Sequence, residues 1–326
     1  MSNKNNILVT GGAGYIGSHI VQLLCDRGYN VIILDNFSSG RKENVDTRVE
    51  NVIEGDIREE SDLKRAFSKE ILAVFHFAAL KAPGESMIEP FKYSETNIRG
   101  SLKLLGKTIE SGTKYFIFSS SAAVYGEPHY LPIDENHPKD PTNYYGYTKL
   151  VFEQNLEWYN KLKGIKYASL RYFNATGYDI NGKIKGREKD TANLSPIVME
   201  VAAGMRENMV VFGNDYSTKD GTCIRDYIHV TDLAFAHLLA MDYITRENKN
   251  LIVNLGVGEG SSVLEVIQTA EKVTGKKVTY DIADRRIGDP EKLIASSKLA
   301  FEILGWKAKY SDLDTIFKSM IPVYFD

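Results

Sequence analysis

The chain predicts an α/β protein built on a doubly wound parallel sheet, with a smaller C-terminal α/β lobe. Three observations carry this expectation. Short apolar runs alternate with segments whose apolar residues recur at helical spacing, the pattern of a parallel sheet buried between helices. The first apolar run ends in a glycine-rich turn that opens a helix. After about Thr176 the alternation stops and the chain becomes polar and loop-like.

Ile7 to Thr10 reads as a buried strand that stops at Gly11. Ile16, Ile20, Leu23 and Leu24 then fall on one face, so Ile16 to Cys25 reads as a helix. Val31 to Leu34 is the next strand, stopped by Asp35, and Asn51 to Ile53 is a third. Asp62 to Phe67 reads as helix and Ala73 to Phe77 as a fourth strand, closed by the small pair Ala78-Ala79. Phe91 to Ser111 carries a long helical pattern. Tyr115 to Phe118 is the fifth strand and ends in Ser119-Ser120-Ser121. Tyr145 to Leu162 is helical and Tyr167 to Leu170 is the sixth strand. Beyond the loop from Gly177 to Asn193, strands are expected at Met209 to Phe212 and Leu251 to Leu255. Helices are expected at Val230 to Tyr243 and Val263 to Thr274.

With 326 residues the chain can bury one large core or two modest ones. Hydrophobic content of 43% and charge of 25% are ordinary for a soluble protein. A net charge of −3 and the lack of a basic run argue against nucleic acid or a membrane surface as partner. The two cysteines, Cys25 and Cys223, make no disulfide framework, so a reducing, cytoplasmic setting is expected. The polar start from Met1 to Asn6 leads straight into a strand, so neither a secretory signal nor a membrane span is expected. The glycosylation-like triplets at Asn36, Asn174 and Asn193 then read as chance matches.

Gly11, Gly14 and Gly17 give G-x-x-G-x-x-G between a strand and a helix. Glycines let the backbone approach a pyrophosphate, and the helix N-terminus offers free N–H groups and a positive dipole end. This is a Rossmann-like dinucleotide cradle. Asp35 follows Gly17 by 18 residues and ends the second strand. A carboxylate there accepts hydrogen bonds from a ribose diol and repels a 2′-phosphate, which favours NAD over NADP. Arg41 lies nearby and could hold such a phosphate. Asp56, after the third strand, is either an adenine contact or a plain turn residue.

Tyr145 and Lys149 are four apart and share a helix face. A neutral phenol is a poor base near pH 7, and a neighbouring cation favours the phenolate. Ser121, at a strand end, offers a hydroxyl to the same substrate oxygen. Behind a dinucleotide cradle this trio reads as proton-transfer machinery for a hydroxyl that exchanges a hydride with NAD.

These motifs resemble the extended short-chain dehydrogenase/reductase superfamily, most closely its NAD-dependent epimerases of UDP-hexoses. The likeness runs through Thr10 to His19, Leu34-Asp35-Asn36, Glu54 to Arg58, His76 to Lys81, Phe118 to Gly126 and Tyr145 to Lys149. It continues in Leu170 to Asn174, Phe212 to Tyr216, Arg225 to Val230, Asn254 to Gly256 and Arg285 to Asp289. The resemblance implies that Gly11, Gly14, Tyr15, Ile16, Gly17, Asp35, Asn36, Asp56 and Ile57 meet NAD, with Phe77, Ala78, Ala79, Lys81, Asn97, Tyr145, Lys149 and Phe173. It implies a UDP site of Asn174, Asn193, Leu194, Val210, Val211, Phe212, Arg225, Arg286 and Asp289, with Leu293 gating the sugar's C2 substituent. Residues 1–175, with about 228–256 returning to them, would form the NAD-binding domain. About 176–227 and 257–326 would form the UDP-sugar-binding domain.

The implied reaction interconverts UDP-glucose and UDP-galactose by transient oxidation at C4 and return of the hydride to the rotated 4-keto sugar. A homodimer built from helices of the cofactor sheet is also implied. Leucine at the gate is intermediate in size, so some turnover of UDP-N-acetylhexosamines is expected. A 4,6-dehydratase would need an Asp-Glu pair where this chain has Ala122-Ala123. A catalytically idle NAD-binding protein would have no use for Ser121, Tyr145 and Lys149 together.

Overall fold

The computed structural model describes residues 5–189, 191, 193–286 and 289–325. Ile287 and Gly288, within the motif at 285–289, and the first four residues of the polar N-terminus lie outside them. Two compact units emerge. The first comprises Met1–Gly126, Lys139–Arg171 and Ala234–Val253, and the second Glu127–Pro138, Tyr172–Leu233 and Asn254–Asp326. Glu127–Pro138, which the sequence reading leaves in the first domain, clusters with the second.

The first unit is organised by β1 (Asn6–Thr10), β2 (Asn30–Asp35), β3 (Asn51–Glu54), β4 (Ala73–His76), β5 (Tyr115–Ser119) and β6 (Lys166–Tyr172). With β11 (Leu251–Leu255) they form a seven-stranded sheet in the order β11-β6-β5-β4-β1-β2-β3. Every pairing from β3 to β6 is parallel. The chain starts at β1, winds outward through β2 and β3, then crosses back to β4. The β1/β4 neighbours are thus the switch point beyond which ligands bind in such sheets. All five β1 residues are buried, as a strand covered on both faces requires. Leu8, Ile32, Val74, Phe116 and Phe118 from the sheet pack with Leu104, Leu105, Phe152 and Leu156 from the helices.

Helices α1 (Tyr15–Asp26), α2 (Glu60–Ala66) and α6 (Tyr144–Lys163) match the expected segments within two residues or so. The long helix expected from Phe91 is interrupted. Between α4 (Pro90–Tyr93) and α5 (Ser101–Glu110), residues Ser94–Gly100 take a π-helical turn. A further helix, α3 (Pro83–Ile88), begins on Pro83, whose fixed φ suits a first helical position.

In the second unit, β8 (Met209–Phe212) pairs parallel with β13 (Tyr280–Ala283). β9 (Ile224–Arg225) lies between β12 (Ser261–Ser262) and β14 (Lys292–Leu293). β10 (Tyr227–His229) pairs parallel with β7 (Asn174–Thr176). Helix α9 (Val263–Thr274) opens on a capping box formed by Ser262 and Glu265, and packs against α7 (Leu194–Ala202) and α11 (Leu313–Tyr324). α8 (Val230–Glu247) follows β10 and belongs to the first unit from Ala234 onward, and α10 (Lys298–Leu304) follows β14 in the second. Among the described residues no helix is long and apolar enough to cross a membrane.

Candidate active site

β1 delivers the chain to Gly11, whose φ of 72° falls in the left-handed region. A Cβ there would stand 2.6 Å from Ala78 N, so the turns after β1 and β4 touch only because residue 11 is glycine. At Gly17 a Cβ would come 2.1 Å from Gly11 O. Gly14 is the N-cap of α1, and no side chain caps that helix. Such a helix start, with its positive dipole end, suits an anion.

Asp35 ends β2, buried, with Oδ2 accepting from Ala13 N–H (2.9 Å) and Oδ1 from Phe37 N–H (2.8 Å). These bonds fix the carboxylate beside the glycine turn. Asn36 Nδ2 donates to Asp56 Oδ2 at 2.9 Å. Arg58 donates to Asp56 from its backbone N–H, Nε and Nη2. The Arg58 bonds hold the Asp56 carboxyl down at about 2. Ile57 is buried beneath this turn. Cradle, uncapped helix and fixed Asp35 together fit a dinucleotide with a free ribose diol.

Phe77 and Ala78 donate their N–H groups to Thr10 O at 2.9 and 3.1 Å, which seats the turn after β4 against β1. Asn97, expected to meet the cofactor, has its amide engaged within the protein. Oδ1 accepts from Leu80 N–H (2.8 Å), and Nδ2 donates to Leu80 O (2.9 Å) and Thr148 Oγ1 (3.1 Å). Through Leu80 it shapes the turn from Phe77 to Lys81. Ala79 is half-buried and Lys81 exposed, as are Tyr15 (half-buried) and Ile16 (half-buried) nearer α1. Phe173 is buried and belongs to the second unit.

Asn143 Oδ1 caps α6 by accepting from Gly146 N–H (2.9 Å), and Ser86 Oγ in α3 accepts from Tyr145 N–H (3.0 Å). A Cβ at Gly146 would meet Ala123 O at 2.3 Å. This close approach brings the α6 start against the turn at Ala122–Val124, which Ser121 caps by accepting from Ala123 N–H. Tyr145 and Ser121 therefore meet.

The electrostatics differ from the sequence expectation. Burial raises the pKa of Tyr145, and the hydrogen bond with Ser121 pulls the other way. Lys149 does not offset this: its Nζ lies 5.7 Å from the Tyr145 ring centroid and donates to Ser119 O at 2.9 Å. Burial lowers Lys149 itself to about 7, opposed by Glu153. The reason is physical: taking an ion out of water disfavours its charged form, which acts on both groups at once.

The second unit assembles the expected UDP residues in part. Arg225 Nη2 donates to Asp289 Oδ1 (2.5 Å) and Nη1 to Ile224 O (2.7 Å). Leu293 lies opposite Arg225 in the β9/β14 register, and its carbonyl accepts from Asp226 N–H (3.0 Å). Asn174 Nδ2 donates to Asp226 O (3.0 Å). The Arg286 guanidinium stacks 3.9 Å from the Phe212 ring centroid. Along β8, Val210 is exposed and Phe212 half-buried, while Val211 is turned into the core. Any contact Val211 makes with a ligand is therefore through its backbone. Asn193 is exposed at the N-cap of α7 and Leu194 is the first residue of that helix.

The motif reading overlooks the residues that hold this machinery: Ser86, Ser119, Ser120, Thr148, Glu153 and Arg171. Ser119, Ser120, Thr148 and Arg171 fall within the motifs named above, and Glu153 is one helical turn beyond Lys149. Ser86 carried no sequence signal, since its bond to Tyr145 spans 59 positions.

Comparison with known proteins agrees. Residues 7–256 match the NAD dependent epimerase/dehydratase family. The UDP-glucose 4-epimerase of Halalkalibacterium halodurans is 47% identical over 311 residues, 95% of this chain and 92% of that protein. The crystal structure of UDP-glucose 4-epimerase from Brucella ovis in complex with NAD superposes with a TM-score of 0.93 at 45% identity, covering 97% of each chain. That of the Bifidobacterium longum UDP-glucose 4-epimerase in complex with NAD+ and UDP gives 0.92 at 40%, covering 98% of this chain and 97% of its own. A parallel sheet wound from a glycine cradle, a serine–tyrosine–lysine group behind it, and this likeness over nearly the whole length make the chain a member of the NAD dependent epimerase/dehydratase family.

Proposed function

We propose that this chain interconverts UDP-glucose and UDP-galactose. The convergence of Ser121, Tyr145 and Lys149 in the unit that carries the glycine cradle is the observation that supports this most directly. Bound NAD would supply the hydride acceptor for C4 of the hexose and the donor for its return to the other face. Gly11, Gly14 and Gly17 would hold its pyrophosphate, and Asp35 its adenosine ribose. Tyr145 takes the proton of the 4-hydroxyl and later gives it back. Ser121 holds the same oxygen and keeps the phenol aligned. Lys149, four residues on and anchored on Ser119 O, would hold the nicotinamide ribose, while the Ser121 hydrogen bond is what favours the ionised phenol.

In the second unit, Arg225 and Arg286 suit a diphosphate, whose charge and geometry match guanidinium forks. Asp289, which ties down Arg225, would also meet the nucleotide ribose, and Val210 and Phe212 would flank uracil. Asn174, Asn193 and Leu194 complete this reading. Leu293 would gate the C2 substituent and admit some N-acetylated substrate. The dehydratase alternative lacks its acid/base pair, since Ala122 and Ala123 fill the turn after Ser121.

The test is incubation of the purified protein with UDP-galactose and no added NAD. UDP-glucose should form, and its absence even with NAD supplied would refute the reading. Parallel assays with UDP-N-acetylgalactosamine test the gate, for which zero turnover is the contrary result. We place the protein in the cytoplasm as a homodimer. Two cysteines outside any disulfide support the former. The family likeness supports the latter, as do exposed Phe91, Trp158 and Leu162 on the helices at Pro90–Glu110 and α6. Light scattering should return twice the chain mass.

A further inference from the structure

Behind the Ser121/Tyr145/Lys149 group lies a buried network that none of the roles above uses. Glu153 and Arg171 have side chains 4% and 3% exposed and are paired face to face. Arg171 Nε donates to Glu153 Oε1 (2.9 Å) and Nη2 to Oε2 (2.5 Å). Arg171 Nη1 donates to the Tyr125 hydroxyl (2.9 Å), and its guanidinium lies 5.1 Å from that ring's centroid. Ser120 Oγ donates to Glu153 Oε1 at 2.5 Å. Glu153 therefore ties together α6, the end of β5 and β6.

The tied residues are telling. Ser120 stands between Ser119, whose carbonyl accepts from Lys149 Nζ, and Ser121, which bonds with Tyr145. Glu153 is on the same helix as Tyr145 and Lys149, one turn beyond the lysine. A shift of β5 along α6 would move the Ser121 hydroxyl from Tyr145 and the Ser119 carbonyl from Lys149 together. Charged and titratable groups around Lys149 are few. Tyr145 and Glu153 come from α6, Arg171 from β6 and Tyr125 from the turn after β5. His76 of β4 is kept neutral by burial at about 3. Glu153 is the acidic side chain of that set, and it favours the protonated form of Lys149.

We propose that Glu153 is a positioning residue for the reaction: clamped by Arg171, it locks the Ser119–Ser121 strand end onto α6 and keeps a counter-charge one turn behind Lys149. This rests on the roles proposed above for Ser121, Tyr145 and Lys149. A buried ion pair is by itself poor evidence of stabilisation, because desolvation offsets the attraction. Its value here would be geometric and electrostatic.

The experiment compares wild type with S120A, E153Q and E153Q/R171M for NAD content, kcat, KM and the pH profile with UDP-galactose. S120A keeps the charge and removes the tie. It should lower kcat about fivefold, part of the worth of one hydrogen bond to a carboxylate because sheet pairing still holds β5, with KM, NAD content and the pH limbs unchanged. E153Q removes the charge, so Lys149 should lose its proton at lower pH. The alkaline limb of kcat should then move down by roughly one pH unit. Should the unpaired Arg171 unfold E153Q, the neutral E153Q/R171M protein carries the same expectation. Folded, NAD-containing variants whose kcat and pH limbs superimpose on wild type would overturn the proposal. If the double variant also fails to fold, unchanged kcat in S120A overturns it and the fivefold loss sustains it. A wild-type protein inactive in the same assay would instead refute the functional reading itself.

Discussion

Lys149 is buried and Tyr145 half-buried, and desolvation opposes the charged state of each. The folded pKa of Lys149, about 7, lies below its unfolded value. Between those two pH values the unfolded chain binds more protons at this site, so this site's contribution to stability rises with pH across that window. Below it both states are protonated and the full cost of a buried ammonium remains. Lys149→Met should therefore melt at or a few degrees above wild type at pH 7, while losing most activity. Thermal melts from pH 6 to 10 check this; the advantage should shrink as pH rises, and a lower melting point at pH 7 contradicts it. Tyr145→Phe removes the proposed proton acceptor and its hydrogen bond with Ser121 while keeping the ring. Its kcat should fall about 10²–10⁴-fold with NAD content unchanged, and near-normal turnover would contradict the assigned role.

At the scale of elements, three glycines, Gly11, Gly17 and Gly146, set the site through close approach. Alanine in a helix is ordinarily better than glycine by about 1 kcal/mol. Gly17 in α1 should invert that rule, because a Cβ would stand 2.1 Å from Gly11 O. Gly17→Ala should come off purification with less NAD and a lower melting temperature; full NAD content would remove the reason given for this glycine. The π turn at Ser94–Gly100 is the element the sequence did not announce. Residues from Phe91 to Ser111 carry a plain helical pattern, and the extra residue in the turn is absorbed without a Pro or Gly at its centre. Its effect is to aim Asn97 at Leu80 and Thr148, linking the turn after β4 to α6. That bond pattern joins residues 17 and 51 positions apart, which local periodicity does not encode.

At the scale of the molecule, the groups proposed for catalysis and those proposed to hold UDP belong to different compact units. Arg225, Arg286 and Asp289 lie in the second unit, and Gly11 to Asp35 with Tyr145 and Lys149 in the first. Loss of function should therefore separate by unit. Arg286→Ala should weaken UDP binding by about tenfold or more, the loss of one or two charge-assisted hydrogen bonds. NAD content should stay at the wild-type level. Titration calorimetry with UDP and nucleotide extraction measure the two, and a parallel loss of both would point to damage of the fold.

Most of the first unit was legible in the chain because its determinants are local. A buried strand announces itself by a run such as Ile7 to Val9, and a dinucleotide turn by glycines at fixed offsets. Tyr145 and Lys149 share a face by helical geometry alone. The second unit was legible mainly as motifs, since strands such as β9 and β14 are two residues long and exist only through their pairing. Sequence by itself thus determined the parallel sheet, the cradle, Asp35 and the Tyr/Lys pair. Tertiary structure alone decided what burial does to those charges, that Asn97 is engaged by Leu80, and that Glu153 and Arg171 stand behind Ser120. The physical reason is that solvation and long-range hydrogen bonding depend on which distant segments exclude water from a group.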